Sequence, residues 1–231
     1  MNDDSGRATQ ARKVESRVSK SDYEIKTIGI IGAGQMGSGI AHVSALAGYD
    51  VKVFDINDDQ LKKAVAGIDG NMARQVKKER ITAEAKDAAI QRIETSTALD
   101  CMADVDLVIE AATEKEEVKR KIFNDVCPIV RDDTILCSNT SSISITRLGA
   151  GTDRPERFMG LHFMNPVPVM KLVELIRGIA TAEDTFAAVR TVAEKLGKQT
   201  VSSEDFPAFI VNRILIPMIN EGIYTLYEGV G

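Results

Sequence analysis

Two residues frame the chemistry this chain could do. His162, one of only two histidines, lies in Leu161-His162-Phe163-Met164-Asn165-Pro166-Val167-Pro168-Val169-Met170, and Glu174 follows twelve residues later inside the apolar run Leu172–Ile176. Arg157–Leu161 and Leu172–Ile176 read as strands. Prolines at 166 and 168 cannot keep donating to a sheet, so Asn165–Val169 is expected to be the turn between them. A chain doubling back near Pro168 places His162 and Glu174 equally far from its tip, and their even spacing puts them on one face. A carboxylate that orients an imidazole makes a general base that works near neutral pH. The bland alternative is a buried histidine satisfied by a chance glutamate.

The elements before this hairpin bear on that choice. Ile25–Ile31 is a short, almost continuous apolar run, as suits a strand buried on both faces. Gly32-Ala33-Gly34-Gln35-Met36-Gly37 follows and opens a helical stretch that stops at Gly48, and Val51–Asp55 is a second strand ending in an acid. Alone, G-x-G-x-x-G is weak. Here a strand precedes it, a helix follows, and an acid closes the next strand, which together make a dinucleotide-binding unit. Gly32 permits the tight turn, Gly34 lets a pyrophosphate approach the backbone, and Gly37 lets helix and strand pack closely. The phosphates would face free N–H groups at the positive helix end. Asp55 can accept both hydroxyls of the adenine ribose and repels a 2′-phosphate, so NAD is expected over NADP.

Strands and helices continue to alternate: a helix over Asp58–Arg80, a shorter one over Ala83–Arg92, then strands Ile93–Ser96, Asp106–Ala112 and Thr134–Ser138, with a helix over Glu116–Ile129 between the last two. The pattern predicts an α/β fold with a Rossmann-type, doubly wound, mostly parallel sheet. Ligands bind such sheets at the carboxyl ends of the strands. The glycine loop, Asp55, Glu114, Asn139, Ser141 and His162 all fall just past predicted strand ends, on one rim. A helix over Ala182–Leu196 and a strand over Lys198–Ser202 complete this unit, and Asp205-Phe206-Pro207-Ala208 reads as a break. The expected organisation is a disordered tail over 1–22, an NAD-binding Rossmann-like domain over 23–207, and the first helix of a helical domain over 208–231. That last helix is too apolar to stand alone in water, so something must pack on it.

Composition excludes several classes. At 231 residues with a net charge of −5, the chain suits one sizeable core and lacks a nucleic-acid surface. Cys101, Cys127 and Cys137 show no C-x-x-C spacing and, with two histidines, make no metal site; reduced thiols in a cytoplasmic protein are expected. No membrane span is expected, because polar residues interrupt Phe209–Leu226, and residues 1–21 lack the apolar segment of a secretory signal. His42 has no carboxylate partner in view and reads as a packing or surface residue. The basic end of the second helix, Lys77-Lys78-Glu79-Arg80, reads from spacing as a solvated face.

Five stretches carry a resemblance: I-G-A-G-Q-M-G-S-G-I-A at 31–41, V-I-E-A-A-T-E at 108–114, S-N-T-S-S at 138–142, G-L-H-F-M-N-P-V-P-V-M-K-L-V-E at 160–174 and F-I-V-N-R at 209–213. The chain is similar to the NAD-dependent L-3-hydroxyacyl-CoA dehydrogenases, in particular the bacterial 3-hydroxybutyryl-CoA dehydrogenases. The resemblance implies an acyl-CoA substrate, with His162 as catalytic base and Glu174 as the acid that orients it. It implies that Ser141 and Asn212 hold the substrate's 3-oxygen and thioester, and that Asp55 takes the adenine ribose. Glu114, Lys119 and Asn139 then lie near the nicotinamide and its ribose, and Lys78 contacts coenzyme A. The family continues for several more helices used for substrate closure and homodimer formation, so the chain reads as truncated. Two other functions stay open: an NAD-binding module without turnover, and a dehydrogenase of a free hydroxy acid, as in the gulonate dehydrogenases of the crystallin type. Acyl-chain preference and the pathway served, whether β-oxidation, butyrate metabolism or aromatic-acid breakdown, are not fixed by these residues.

Overall fold

The computed structural model describes residues 23–231. The tail expected over 1–22 lies outside the described residues. Eight strands form one sheet: β1 (Thr27–Ile31), β2 (Asp50–Phe54), β3 (Ile93–Ser96), β4 (Leu107–Glu110), β5 (Ile135–Ser138), β6 (Phe158–Phe163), β7 (Leu172–Arg177) and β8 (Gln199–Glu204). Their spatial order is β3-β2-β1-β4-β5-β6-β7-β8. The first six run parallel; β7 turns back against β6, and β8 is parallel to β7. The order reverses between β1 and β4, which opens a crevice at their carboxyl ends.

Helices α1 (Gln35–Leu46), α2 (Asp58–Lys77), α3 (Ala83–Gln91), α4 (Glu116–Val126), α5 (Ile145–Gly149), α6 (Glu183–Lys195) and α7 (Val211–Tyr227) connect or follow the strands. Successive strand residues point to opposite faces, which explains why the central strands are apolar throughout. Leu107 and Ile109 join a core with Ile28, Ile40 and Ile68, while Val108 joins one with Phe123, Leu136 and Phe158 on the other face. Strand limits differ from the sequence expectation by at most two residues. The short helix α5 was not expected. It starts on Ser144, whose hydroxyl accepts from Arg147 N–H, while Asp205 accepts from Ile145 N–H and Thr146 N–H across 59 or more residues. Such a distant cap leaves no local trace in sequence.

The last helix, α7, buries none of its residues, and Ile214, Ile216, Met218 and Ile223 are exposed. Among the described residues no helix is long and apolar enough to cross a membrane.

Candidate active site

His162 and Glu174 are direct cross-strand partners in the β6–β7 hairpin. The hairpin is as expected, but β6 extends two residues further, so His162 lies within the strand instead of just past its end. Pairing of Phe163 with Val173 carries the ladder on. Glu174 is fully buried and His162 is 4% exposed. The imidazole Nδ1 stands 2.7 Å from Glu174 Oε2. A carboxylate can only accept there, so Nδ1–H donates, and in the neutral imidazole Nε2 carries the lone pair. Among the described residues Nε2 has no hydrogen-bond partner, which leaves it available to a reacting proton. Phe209 covers the ring at a centroid distance of 5.8 Å.

The second carboxylate oxygen, Glu174 Oε1, accepts from Ile210 N–H and Val211 N–H, each at 2.9 Å. Burial pushes the Glu174 carboxyl upward, but the hydrogen bonds from His162, Val211 and Ile210 outweigh it and hold it below the ordinary carboxylate range. The group is therefore an anion well placed to stabilise an imidazolium. Ala208 (φ +68°) and Phe209 (φ +52°) are both left-handed, and this twist aims the next two N–H groups at Glu174. It also delays the helix, which starts at Val211 and has Asn212 as its second residue. Asn212 Nδ2 lies 3.4 Å from the Ser141 carbonyl oxygen, so the two residues expected to hold the substrate oxygen do meet. The Ser141 hydroxyl has no protein partner among the described residues.

The glycine loop sits between β1 and α1. Gly32 adopts φ +104°, and a Cβ there would strike the Ala111 carbonyl; a Cβ on Gly37 would overlap the Gly32 carbonyl oxygen. At Gly34 a Cβ would meet nothing within 4 Å and would project into open space. Helix α1 has no side-chain cap and no acid in its first turn, unlike α2, which carries the Asn57 cap and Asp58 and Asp59. Its free N–H groups face an empty approach, as an anion site requires. Asp55 accepts from Ala33 N–H at 2.8 Å and Asn57 N–H at 3.0 Å, which pins the acid at the loop. A cleft of about 530 Å³ runs from Gly32 and Gly34 past Asp55 to Leu99, Val118 and Ile122. These residues fit a dinucleotide, with the anionic bridge at α1 and a flat base against the apolar wall. Gln35 and Met36 form the first turn of α1; Met36 is directed to a second, smaller cavity.

That cavity, about 210 Å³, is lined by Met36, Thr113, Glu114, Lys119, Asn139 and Ser141 among others. Glu114 Oε1 accepts from Thr140 Oγ1, Ser141 N–H and Ser142 N–H and so shapes the turn that carries Ser141. Asn139 Oδ1 accepts from Phe163 N–H, tying this edge to the strand of His162. Lys119, in contrast, is not an open cation. It is 2% exposed and gives two hydrogen bonds to Glu110, at 2.8 and 2.7 Å. From sequence alone Glu110 reads only as part of a strand. The available signal was an acid in the last position of an otherwise apolar strand that is buried on both faces.

Lys78 caps the end of α2 and is exposed. A groove of about 270 Å³ between α1, α2 and the β6–β7 turn is lined by Gln60, Lys63, Asn71, His42 and Asn165, but Lys78 does not line it. Seven residues separate Lys78 from Asn71, roughly 10 Å along the helix axis. His42 is a packing residue as expected: it is buried, and the Gln75 amide donates to its Nε2 at 3.0 Å. Lys198, also missed from sequence, is buried and donates to the carbonyls of Val167 and Met170, fixing the β6–β7 turn.

Residues 27–206 match the family described as 3-hydroxyacyl-CoA dehydrogenase, NAD binding domain. A 3-hydroxybutyryl-CoA dehydrogenase of Bradyrhizobium diazoefficiens is 65% identical over 207 residues, 90% of this chain and 71% of that protein. One from Clostridioides difficile is 38% identical over 88% of this chain and 72% of its own length. The crystal structure of (S)-3-hydroxybutyryl-CoA dehydrogenase from Ralstonia eutropha superposes with a TM-score of 0.88 at 48% identity, covering 90% of this chain and 74% of that one.

Proposed function

The chain belongs to the 3-hydroxyacyl-CoA dehydrogenase family, and from that premise we propose that it interconverts (3S)-3-hydroxybutyryl-CoA and acetoacetyl-CoA with His162 as general base. Bound NAD supplies the hydride acceptor. Everything else falls to residues of this chain. His162 Nε2 takes the proton of the 3-hydroxyl as the alcohol is oxidised, and Glu174 stabilises the imidazolium formed. In the reverse direction His162 returns that proton to the ketone oxygen. The Ser141 hydroxyl and Asn212 amide donate to the same oxygen while it carries negative charge. Asp55, the glycine loop and α1 hold the adenosine and pyrophosphate, and Glu114, Lys119 and Asn139 hold the nicotinamide end. The groove beside Lys63 and Asn71 takes the coenzyme A chain, with Lys78 further along α2 near its phosphates.

The observation that carries this reading is the buried 2.7 Å His162–Glu174 contact with Nε2 left unpaired. The test is NADH oxidation followed by absorbance with acetoacetyl-CoA, then with free oxo acids. Turnover only with the thioester supports the proposal, and turnover only with free acids shifts it to a non-CoA hydroxy acid. His162→Ala should lose ~10²–10⁴ in rate and keep NADH binding; loss of both together would make His162 structural.

We also place the domain division at 207/208, the working form as a homodimer and the compartment as the cytoplasm. One observation favours a second reading, an NAD-binding module without turnover: α7, which carries Asn212, has none of its residues buried. NADH binding by calorimetry without acetoacetyl-CoA reduction would select it.

A further inference from the structure

Glu110 carries no role in the mechanism above, yet its carboxylate accepts four hydrogen bonds at the cofactor edge. It ends β4 and is fully buried. Its Oε1 accepts from Ala112 N–H at 2.9 Å and Lys119 Nζ at 2.8 Å; its Oε2 accepts from Lys119 Nζ at 2.7 Å and Ser138 Oγ at 2.7 Å. Two strands and α4 are joined through this one carboxylate. Lys119 in turn stands 3.7 Å from Glu114 Oε2, and Glu114 shapes the Ser141–Ser142 turn. Ser138 precedes Asn139, which holds Phe163 N–H beside His162.

Stability does not explain this arrangement. A buried ion pair loses in desolvation much of what it gains in attraction, and well-packed apolar residues commonly serve as well. What the pair does supply is a fixed position for Lys119. A lysine ammonium on four rotatable bonds has no preferred direction unless its protons are taken. Glu110 takes two of them inside the protein and leaves the ammonium at the wall of the small cavity, between an inner and an outer carboxylate.

We infer that Glu110 is a positioning residue for the nicotinamide half of the cofactor, acting through Lys119 and Ser138 without touching the ligand. This rests on the reading that NAD lies across the two cavities with its nicotinamide end at Glu114, Lys119 and Asn139. Glu110→Gln keeps the shape and one acceptor but releases Lys119, which then turns toward Glu114.

Fluorescence titration of the chain with NADH, and calorimetric titration with ADP, which ends before the nicotinamide, tests this. Glu110→Gln should weaken NADH binding on the order of 10–100-fold, the scale of a lost charge-assisted hydrogen bond, and leave ADP binding as in the wild type. Thermal melting will fall because Lys119 loses its buried partner. The double variant Glu110→Gln, Lys119→Met removes that lone charge; its melting temperature should recover while NADH binding stays weak. It also carries the comparison should the single variant be unfolded at assay temperature. Wild-type NADH affinity in either variant, or equal weakening of NADH and ADP, overturns the inference. A wild-type chain that binds neither ligand would instead overturn the cofactor reading beneath it.

Discussion

His42 should make the fold sensitive to mild acid. Its imidazole is 1% exposed, accepts the Gln75 amide on Nε2, and has no partner at Nδ1. Burial, and then the positive charge of Lys198, lower its pKa from 6.5 to about 4. The unfolded chain therefore takes up a proton below pH 6.5 that the folded chain refuses. Stability from the neutral imidazole is complete above 6.5 and is lost as pH falls toward 4. Between pH 8 and pH 5 the linkage integral gives a loss of ~2 kcal/mol, and the ceiling below pH 4 is ~3 kcal/mol. Urea unfolding of the wild type and of His42→Gln at both pH values isolates this contribution, because every other titrating group is common to the two. The wild type should lose ~2 kcal/mol more than the variant over that interval. Equal losses in the two proteins would refute a neutral, acid-resistant His42.

Glu174→Gln offers one acceptor where the structure uses two carboxylate oxygens, so either Nδ1–H or the Ile210 and Val211 N–H groups face an amide donor. Reduction of acetoacetyl-CoA should fall by ~10²–10⁴ with NADH binding kept; unchanged turnover would remove Glu174 from the mechanism. Ala208→Gly relieves a left-handed backbone at φ +68° and should raise unfolding free energy by about 0.5–1 kcal/mol, read from chemical denaturation; a loss would show that the methyl group packs productively. Asp55 is held by two backbone N–H groups and cannot swing away from a 2′-phosphate. Turnover with NADPH should be roughly tenfold or more below that with NADH, and comparable rates would overturn the cofactor preference.

Much of the architecture was legible because the central strands are buried on both faces and write themselves as short apolar runs. The glycine loop was legible for a different reason: turn, close approach and packing each demand glycine at a fixed offset. The His162–Glu174 pairing could be read because prolines at 166 and 168 locate the turn and symmetry about it does the rest. What stayed hidden depends on distant partners. The Glu110–Lys119 contact joins a strand end to a helix, and nothing in either segment names the other. Asp205 caps α5 from beyond β8, and Lys198 secures a turn 28 or more residues earlier. The left-handed Ala208 and Phe209 were also invisible, since neither residue type favours that backbone; the pull of Glu174 on the N–H groups that follow accounts for it.

The pairing of β6 with β7 has a consequence for how this chain tolerates change in length. His162 and Glu174 meet because they occupy one rung of an antiparallel ladder. Deleting or inserting a single residue in either strand between this rung and the turn sends one of the two side chains through to the other face of the sheet. An inserted residue in the Met164–Lys171 segment leaves that rung intact. The rung therefore survives a change of length on one side of the ladder's end and is lost to one on the other, and the boundary lies at Phe163 and Leu172.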